Sequence, residues 1–199
     1  MPLSEEQIQN MQRKRRQILI AAATLFAEYG YEGTPVKKIA EAAGVSFGSV
    51  FTYFDNKETL FHSAVTEPLK EFEKLVEEID PEAEDVLAEL ETMVSKHIRI
   101  YASMNEFLNL VTRVLTHYRK FPDTFKELDE FHERLRERVM ELVVSGQNKG
   151  VLYEQDPGNV ATVYTSLLMG MRLSLIDEPE SSMWERLVPH VMQIFGPKH

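Results

Sequence analysis

Between Thr34 and Phe61 the chain reads TPVKKIAEAAGVSFGSVFTYFDNKETLF, and its residue types are spaced for contact with nucleic acid. Ser46, Phe47, Gly48, Ser49 and Thr52 fall on one side of a short helical period, while Val45, Val50 and Phe54 fall on the other. A mostly uncharged set of this kind suits a major groove, where hydroxyls reach base edges and apolar atoms reach thymine methyls. Tyr53, Lys37, Lys57 and the cluster 13-RKRR-16, with Arg15 and Arg16 as its candidate contacts, are placed to meet phosphates. Small residues at Ala40 and Ala43 and a turn glycine at Gly44 let two short helices cross closely, which is what a helix-turn-helix requires.

Other constellations carry less. The string 44-GVSFG-48 matches a hydrolase nucleophile elbow, but that elbow needs a preceding strand and a helix is expected here. Ser46 is therefore read as a helix cap. No HExxH occurs, and Asp129 before His132 is the only acid three residues ahead of a histidine, so no metal site is expected. With no cysteine, thiolate metal sites and cysteine nucleophiles are excluded. No catalytic residue and no cofactor are expected, and the chain is not read as an enzyme. In the C-terminal part His97, Tyr101, Met104 and Phe107, then Arg113, His117, Tyr164 and Met169, lie on or beside apolar faces. Apolar walls with a few directed polar groups are what a small-molecule cavity needs. The competing reading is core packing, with Arg113 snorkelling to solvent.

The elements that must position these residues are helical. Apolar residues recur at helical spacing nearly everywhere, and no segment alternates with period two between hairpin turns. The fold class is all-α, with about nine helices. Ser4 and Gln7 form a capping-box pair, the stripe Ile18, Ala22, Leu25, Phe26 runs to a stop at Gly30, and Thr34 is expected to cap a helix beginning at Pro35. Ser46 and Asn56 cap two more. A helix from Lys57 toward Ile79 carries Pro68, which costs a hydrogen bond and introduces a kink. Beyond Asp80-Pro81 come helices over Val86 to Tyr101, Asn105 to Tyr118 and a charged one after Phe121-Pro122. A turn is expected over SGQNKG, 145–150, then helices from Pro157 to about Ile176 and from Ser182 to near Gly196.

At 199 residues the chain holds one or two small domains. The net charge of -10 is unevenly spread: Met1 to Phe61 balances 7 basic against 7 acidic residues, and His62 to His199 carries 15 against 25. A neutral-to-basic head on an acidic body fits a nucleic-acid-binding module whose body stays off the polyanion. The divide is placed at 1–56, a helix-turn-helix DNA-binding domain, and 57–199, a larger helical ligand-binding and dimerisation domain. No apolar run approaches the ~20 residues of a membrane span. The acidic N-terminal stretch lacks the features of a secretory signal, so a cytoplasmic protein is expected.

From about Arg15 to Ala64, ILIAAATLFAEYGYEGTPVKKIAEAAGVSFGSVFTYFDNKETL resembles the N-terminal domain of TetR/AcrR-family transcriptional regulators. The resemblance implies a three-helix DNA-binding head, a helical ligand-binding body and a homodimer on double-stranded operator DNA. It also implies repression relieved by a small molecule, here expected to be hydrophobic or amphipathic. By the same resemblance Thr34 lies at the start of helix 2 near the backbone, and Lys37 on a helix 2 position that reaches DNA. Phe47, Gly48, Ser49 and Thr52 fall on recognition-helix positions, Tyr53 on a phosphate-contacting one, and Lys57 on the lysine opening helix 4. Phe47 departs from the usual lysine, arginine, proline or glutamine, and Phe51 from the usual tyrosine. The family's C-terminal helix pair implies a dimer interface at Tyr164, Leu168, Met171, Leu187, Val191 and Ile194. A regulator without a small inducer, or a helical carrier of apolar molecules, stands as the alternative.

Overall fold

The computed structural model describes residues 4–174 and 178–198. Ten α-helices follow one another among these residues: α1 (Glu5–Tyr29), α2 (Val36–Ala42), α3 (Phe47–Tyr53), α4 (Lys57–Thr66), α5 (Leu69–Glu77), α6 (Val86–Ser103), α7 (Asn105–Thr116), α8 (Pro122–Asn148), α9 (Pro157–Ser174) and α10 (Ser182–Met192). A 3-10 turn over Gln193–Phe195 follows. The expected all-helical class holds. The helix expected across Pro68 is interrupted at Glu67–Pro68 and forms two elements, α4 and α5. Proline cannot donate the amide proton that a continuous helix needs there.

The chain divides into two compact units, Met1–Lys70 with Glu106–Leu128, and Glu71–Asn105 with Asp129–His199. The first therefore runs past residue 56 through α4 and takes in most of α7 and the first turns of α8.

In the first unit, Ser4 closes a complete capping box with Gln7, satisfying two of the amide groups that open α1. Ile18, Ala22 and Phe26 follow at four-residue spacing and are fully buried, which makes one apolar face of α1. That face packs on α4, α2 and α3, which contribute Leu60, Phe61, Ile39, Ala40 and Val50 to the core. Each large side chain so buried stabilises by ~1.5–3 kcal/mol. Phe26 and Phe61 meet edge to face at 5.1 Å between ring centroids, Phe61 and Phe121 approach to 4.4 Å, and Tyr31 packs beside all three. Thr34 does not cap α2: the helix begins at Val36 with Pro35 in the capping position. The Thr34 hydroxyl instead turns back to the carbonyls of Leu25 (3.0 Å), in the last turns of α1, and of Gly30 (2.8 Å), just past its end.

The core of the second unit is built by Leu90, Val94 and Ile98 of α6, Val139, Leu142 and Val143 of α8, Ala161, Tyr164 and Leu168 of α9, and Trp184 and Val191 of α10. The turn expected over 145–150 starts later, because α8 continues to Asn148 and the chain reverses at Lys149–Gly150. Gly146 is helical, and its lack of a side chain serves a close approach: a Cβ there would lie 2.6 Å from Cδ1 of Leu152. The segment after α8 is tied to the C-terminus by Tyr153 N–H to Gly196 O (2.8 Å) and Lys198 N–H to Val151 O (2.9 Å). α9 is described to Ser174, and the expected helix end at Ile176 and the connection beginning at Asp177 lie outside the described residues.

Candidate nucleic-acid interface

The turn between α2 and α3 is set by local hydrogen bonding. Val45 N–H reaches back to Ala40 O (3.0 Å) and Gly44 N–H to Glu41 O (3.2 Å), the pattern that closes a helix around a left-handed residue. Gly44 takes that conformation at φ 66°, which only glycine adopts without strain. Ser46 then starts α3, its Oγ accepting from Ser49 N–H (3.2 Å) and lying 2.7 Å from the Ser49 hydroxyl. Asn56 starts α4 by accepting from Thr59 N–H (2.8 Å). These three caps hold α3 between two fixed ends, with Val50 and Phe54 buried.

The outer side of α3 is open. Phe47, Gly48, Phe51 and Thr52 are exposed, Ser46 is exposed at its start, and Ser49 and Tyr53 are half-buried. Phe47 is 54% and Phe51 41% exposed, their rings edge to face with centroids 5.1 Å apart. Phe47 is thus a surface residue, and Phe51 shares its face. The signal was present in the sequence, since positions four apart share a helix face.

The cations divide into two groups. Arg16 and Lys37 are exposed. Arg15 is engaged within the protein, donating to the Glu67 carboxylate through both terminal nitrogens while its guanidinium lies 5.0 Å over the Phe54 ring. The hydrogen bond to Arg15 holds the Glu67 carboxyl below its ordinary range and raises that of the guanidinium. Lys57 stands 4.4 Å over the Tyr31 ring, and partial burial lowers its pKa against the opposing charge of Glu32. Lys38 sits 3.1 Å over Tyr29. Thr34 is 0% exposed, so its side chain presents nothing to an external phosphate.

The residues expected around a small molecule are divided between the two units. Phe107, Arg113 and His117 belong to the first unit and His97, Tyr101, Met104, Tyr164 and Met169 to the second. Arg113 is half-buried and donates to Ala27 O (3.1 Å) at the C-terminal end of α1, where a cation meets unpaired carbonyls, and with His117 it lines a pocket of the first unit beside Tyr31 and Phe121. His117 is exposed, beside the hydroxyl of Thr116 (3.0 Å). In the second unit His97 is only 6% exposed, with Nδ1 2.9 Å from the Tyr164 hydroxyl. Burial pushes the His97 pKa down to about 4, aided by the charge of Lys96, and pushes Tyr101 up to about 12. The imidazole is neutral at ordinary pH.

Of the residues expected at a dimer interface, Tyr164, Leu168 and Val191 lie inside this core, and Met171, Leu187 and Ile194 pack against it. The first three are buried within one chain, and Met171, Leu187 and Ile194 remain partly exposed. The face of α9 that is open carries Val163, Ser166, Gly170 and Leu173. Among the described residues no helix is long and apolar enough to cross a membrane.

Residues 18–64 match the family described as bacterial regulatory proteins, tetR family. The chain is 32% identical over 143 residues to the fatty acid metabolism regulator protein of Bacillus subtilis, spanning 71% of this chain and 67% of that one. Its fold is similar to that of the fatty acid degradation regulator FadR of Bacillus halodurans, with a TM-score of 0.71 at 27% identity over 92% of this chain and 94% of that one. It is similar also to AibR, solved in complex with isovaleryl coenzyme A and operator DNA, with a TM-score of 0.74 over 93% and 100% of the two chains. At 19% identity the latter likeness speaks for the fold. A capped helix-turn-helix with an open second helix, a family match centred on it and a relative aligned over two-thirds of its length lead to one conclusion: this chain is a DNA-binding transcriptional regulator of the tetR family.

Proposed function

We propose that the protein is a homodimeric repressor that holds a palindromic operator and is released from it by an apolar or amphipathic small molecule bound in the second unit. Two copies of α3 related by a two-fold axis would enter successive major grooves ~34–36 Å apart, which is why the operator should be a palindrome. The outward face of α9, with Val163 and Leu173 exposed beside Ser166 and Gly170, offers an apolar strip for the second copy.

The observation that carries the effector reading is the buried His97. One ring nitrogen faces Tyr164, and among the described residues the other has no hydrogen-bond partner. Among those residues, whichever tautomer is present, one buried ring nitrogen lacks a partner, which costs ~1–3 kcal/mol. A bound molecule with a polar group on an apolar frame would supply the partner. The name of the Bacillus subtilis relative and the acyl coenzyme A bound to AibR make acyl compounds the first to try. Release requires that the effector bind the DNA-incompetent state more tightly, since equal affinity shifts nothing.

The test is a mobility shift on an operator selected from genomic fragments, repeated with a series of acyl coenzyme A thioesters and free fatty acids. Dissociation at micromolar effector supports the reading. An operator complex indifferent to the whole series overturns its effector part and leaves a regulator without an inducer of this class.

A further inference from the structure

α3 is a recognition helix with no charged side chain: FGSVFTY offers two hydroxyls, a phenol, a glycine, a buried valine and two phenyl rings. The largest exposed group on it is the Phe47–Phe51 pair, one helical turn apart, with rings held edge to face at 72°. Val50 and Phe54 already fill the inner side, so the core makes no demand on either ring. Two half-exposed aromatic rings on a seven-residue helix call for an apolar partner.

Resting on the regulator reading of this same helix, we propose that the Phe47–Phe51 pair is the sequence-determining element of α3 and that it reads the 5-methyl groups of thymine. In the major groove each base shows a phenyl ring a different edge. Guanine presents two acceptors there, adenine an acceptor and a donor, cytosine a donor, and thymine one acceptor and, alone among the four, a methyl group. A phenyl ring against guanine or adenine strips water from polar atoms and returns no hydrogen bond, which disfavours purines at that position. Against thymine it buries a methyl group. The edge-to-face geometry keeps both rings in place before contact, so little side-chain freedom is lost on binding. The lysine or arginine usual at position 47 would favour guanine. Phe47 cannot, and the operator should carry thymine where relatives with a cation at that position carry guanine.

The experiment uses the full-length protein and an operator obtained by selection from random duplex DNA. Each thymine is replaced singly by uracil, which removes one methyl group and nothing else, and dissociation constants are compared at matched salt over a series of salt concentrations. In the parent protein, uracil at the thymines facing Phe47 and Phe51 should weaken binding about fourfold per methyl. Phe47→Ala and Phe51→Ala should each abolish the thymine–uracil difference at their own positions and leave the salt dependence unchanged, because phosphate contacts are kept. Both rings are at the surface, so both variants should fold, and Phe51→Tyr checks the point by keeping the ring. The proposal is overturned if every uracil substitution changes affinity less than twofold, or if the difference persists in both alanine variants, as it would were the rings a surface for another protein. Failure to recover any operator would overturn the regulator reading and this proposal together; recovery of an operator blind to the methyl would overturn this proposal alone.

Discussion

His97 gives the protein a measurable pH signature. Its folded value of about 4 lies below the ordinary 6.5, so between these limits the unfolded chain takes up the extra proton. The stabilisation is complete above pH 6.5 and is lost as pH falls toward 4, by up to about 3 kcal/mol. His97→Gln keeps a polar side chain of similar reach and cannot titrate. Denaturant unfolding at pH 7 and pH 5 should therefore show the parent losing more stability than the variant; equal losses would contradict the burial argument. Thr34, Arg15 and Arg113 make a related point. Each carries a group that reads as available for an external ligand, and each is used inside the first unit, on the carbonyls of Leu25, Gly30 and Ala27 or the carboxylate of Glu67. Arg13, Lys14, Arg16, Lys37 and the outer side of α3 remain exposed.

Among the elements, α8 and α9 each carry a glycine whose role differs. At Gly146 of α8 an added methyl would meet Leu152 and Val86, both buried in the core, whereas at Gly170 of α9 it would meet nothing within 4 Å. Gly146→Ala gains helix propensity of ~1 kcal/mol but overpacks the core by ~1–3 kcal/mol, so a net loss of stability is expected. Gly170→Ala should leave the folded chain as stable or slightly more so. Thermal unfolding of the two variants side by side checks the contrast, and a stabilised Gly146→Ala would contradict the packing described. Elements closed by local bonds were legible in advance: Ser4 with Gln7, Ser46 with Ser49 and Asn56 with Thr59 are each three residues apart. What escaped depends on contacts made across a turn or across the chain. The Thr34 hydroxyl finds its partners in the preceding helix end, Gly146 meets Leu152 beyond the reversal at Gly150, and Arg113 reaches Ala27 over 86 positions. Hydrophobic period marks α9 as amphipathic, yet it does not tell which partner fills the apolar side, and Tyr164 and Leu168 proved to serve their own chain.

For the molecule as a whole, the net negative charge lies entirely beyond Phe61, where 25 acidic residues stand against 15 basic ones, while the stretch up to Phe61 is balanced at 7 against 7. A dimer formed through the open face of α9 should be lost in Val163→Glu, since a carboxylate would be buried against its symmetry mate, while the monomer keeps its fold because Val163 is 54% exposed. Sedimentation of the variant as a folded monomer is the expected result, and an unchanged dimer would move the interface elsewhere. The measurement that bears most directly on the account is operator selection from genomic fragments with the purified protein, followed by a salt titration of the enriched site. The account predicts a two-fold-symmetric site bound with a steep linear fall of log affinity against log salt, about 0.9 per phosphate neutralised, and a shallower slope in Lys37→Ala. Enrichment of no site at any salt concentration, or affinity indifferent to salt and to Lys37, would contradict it.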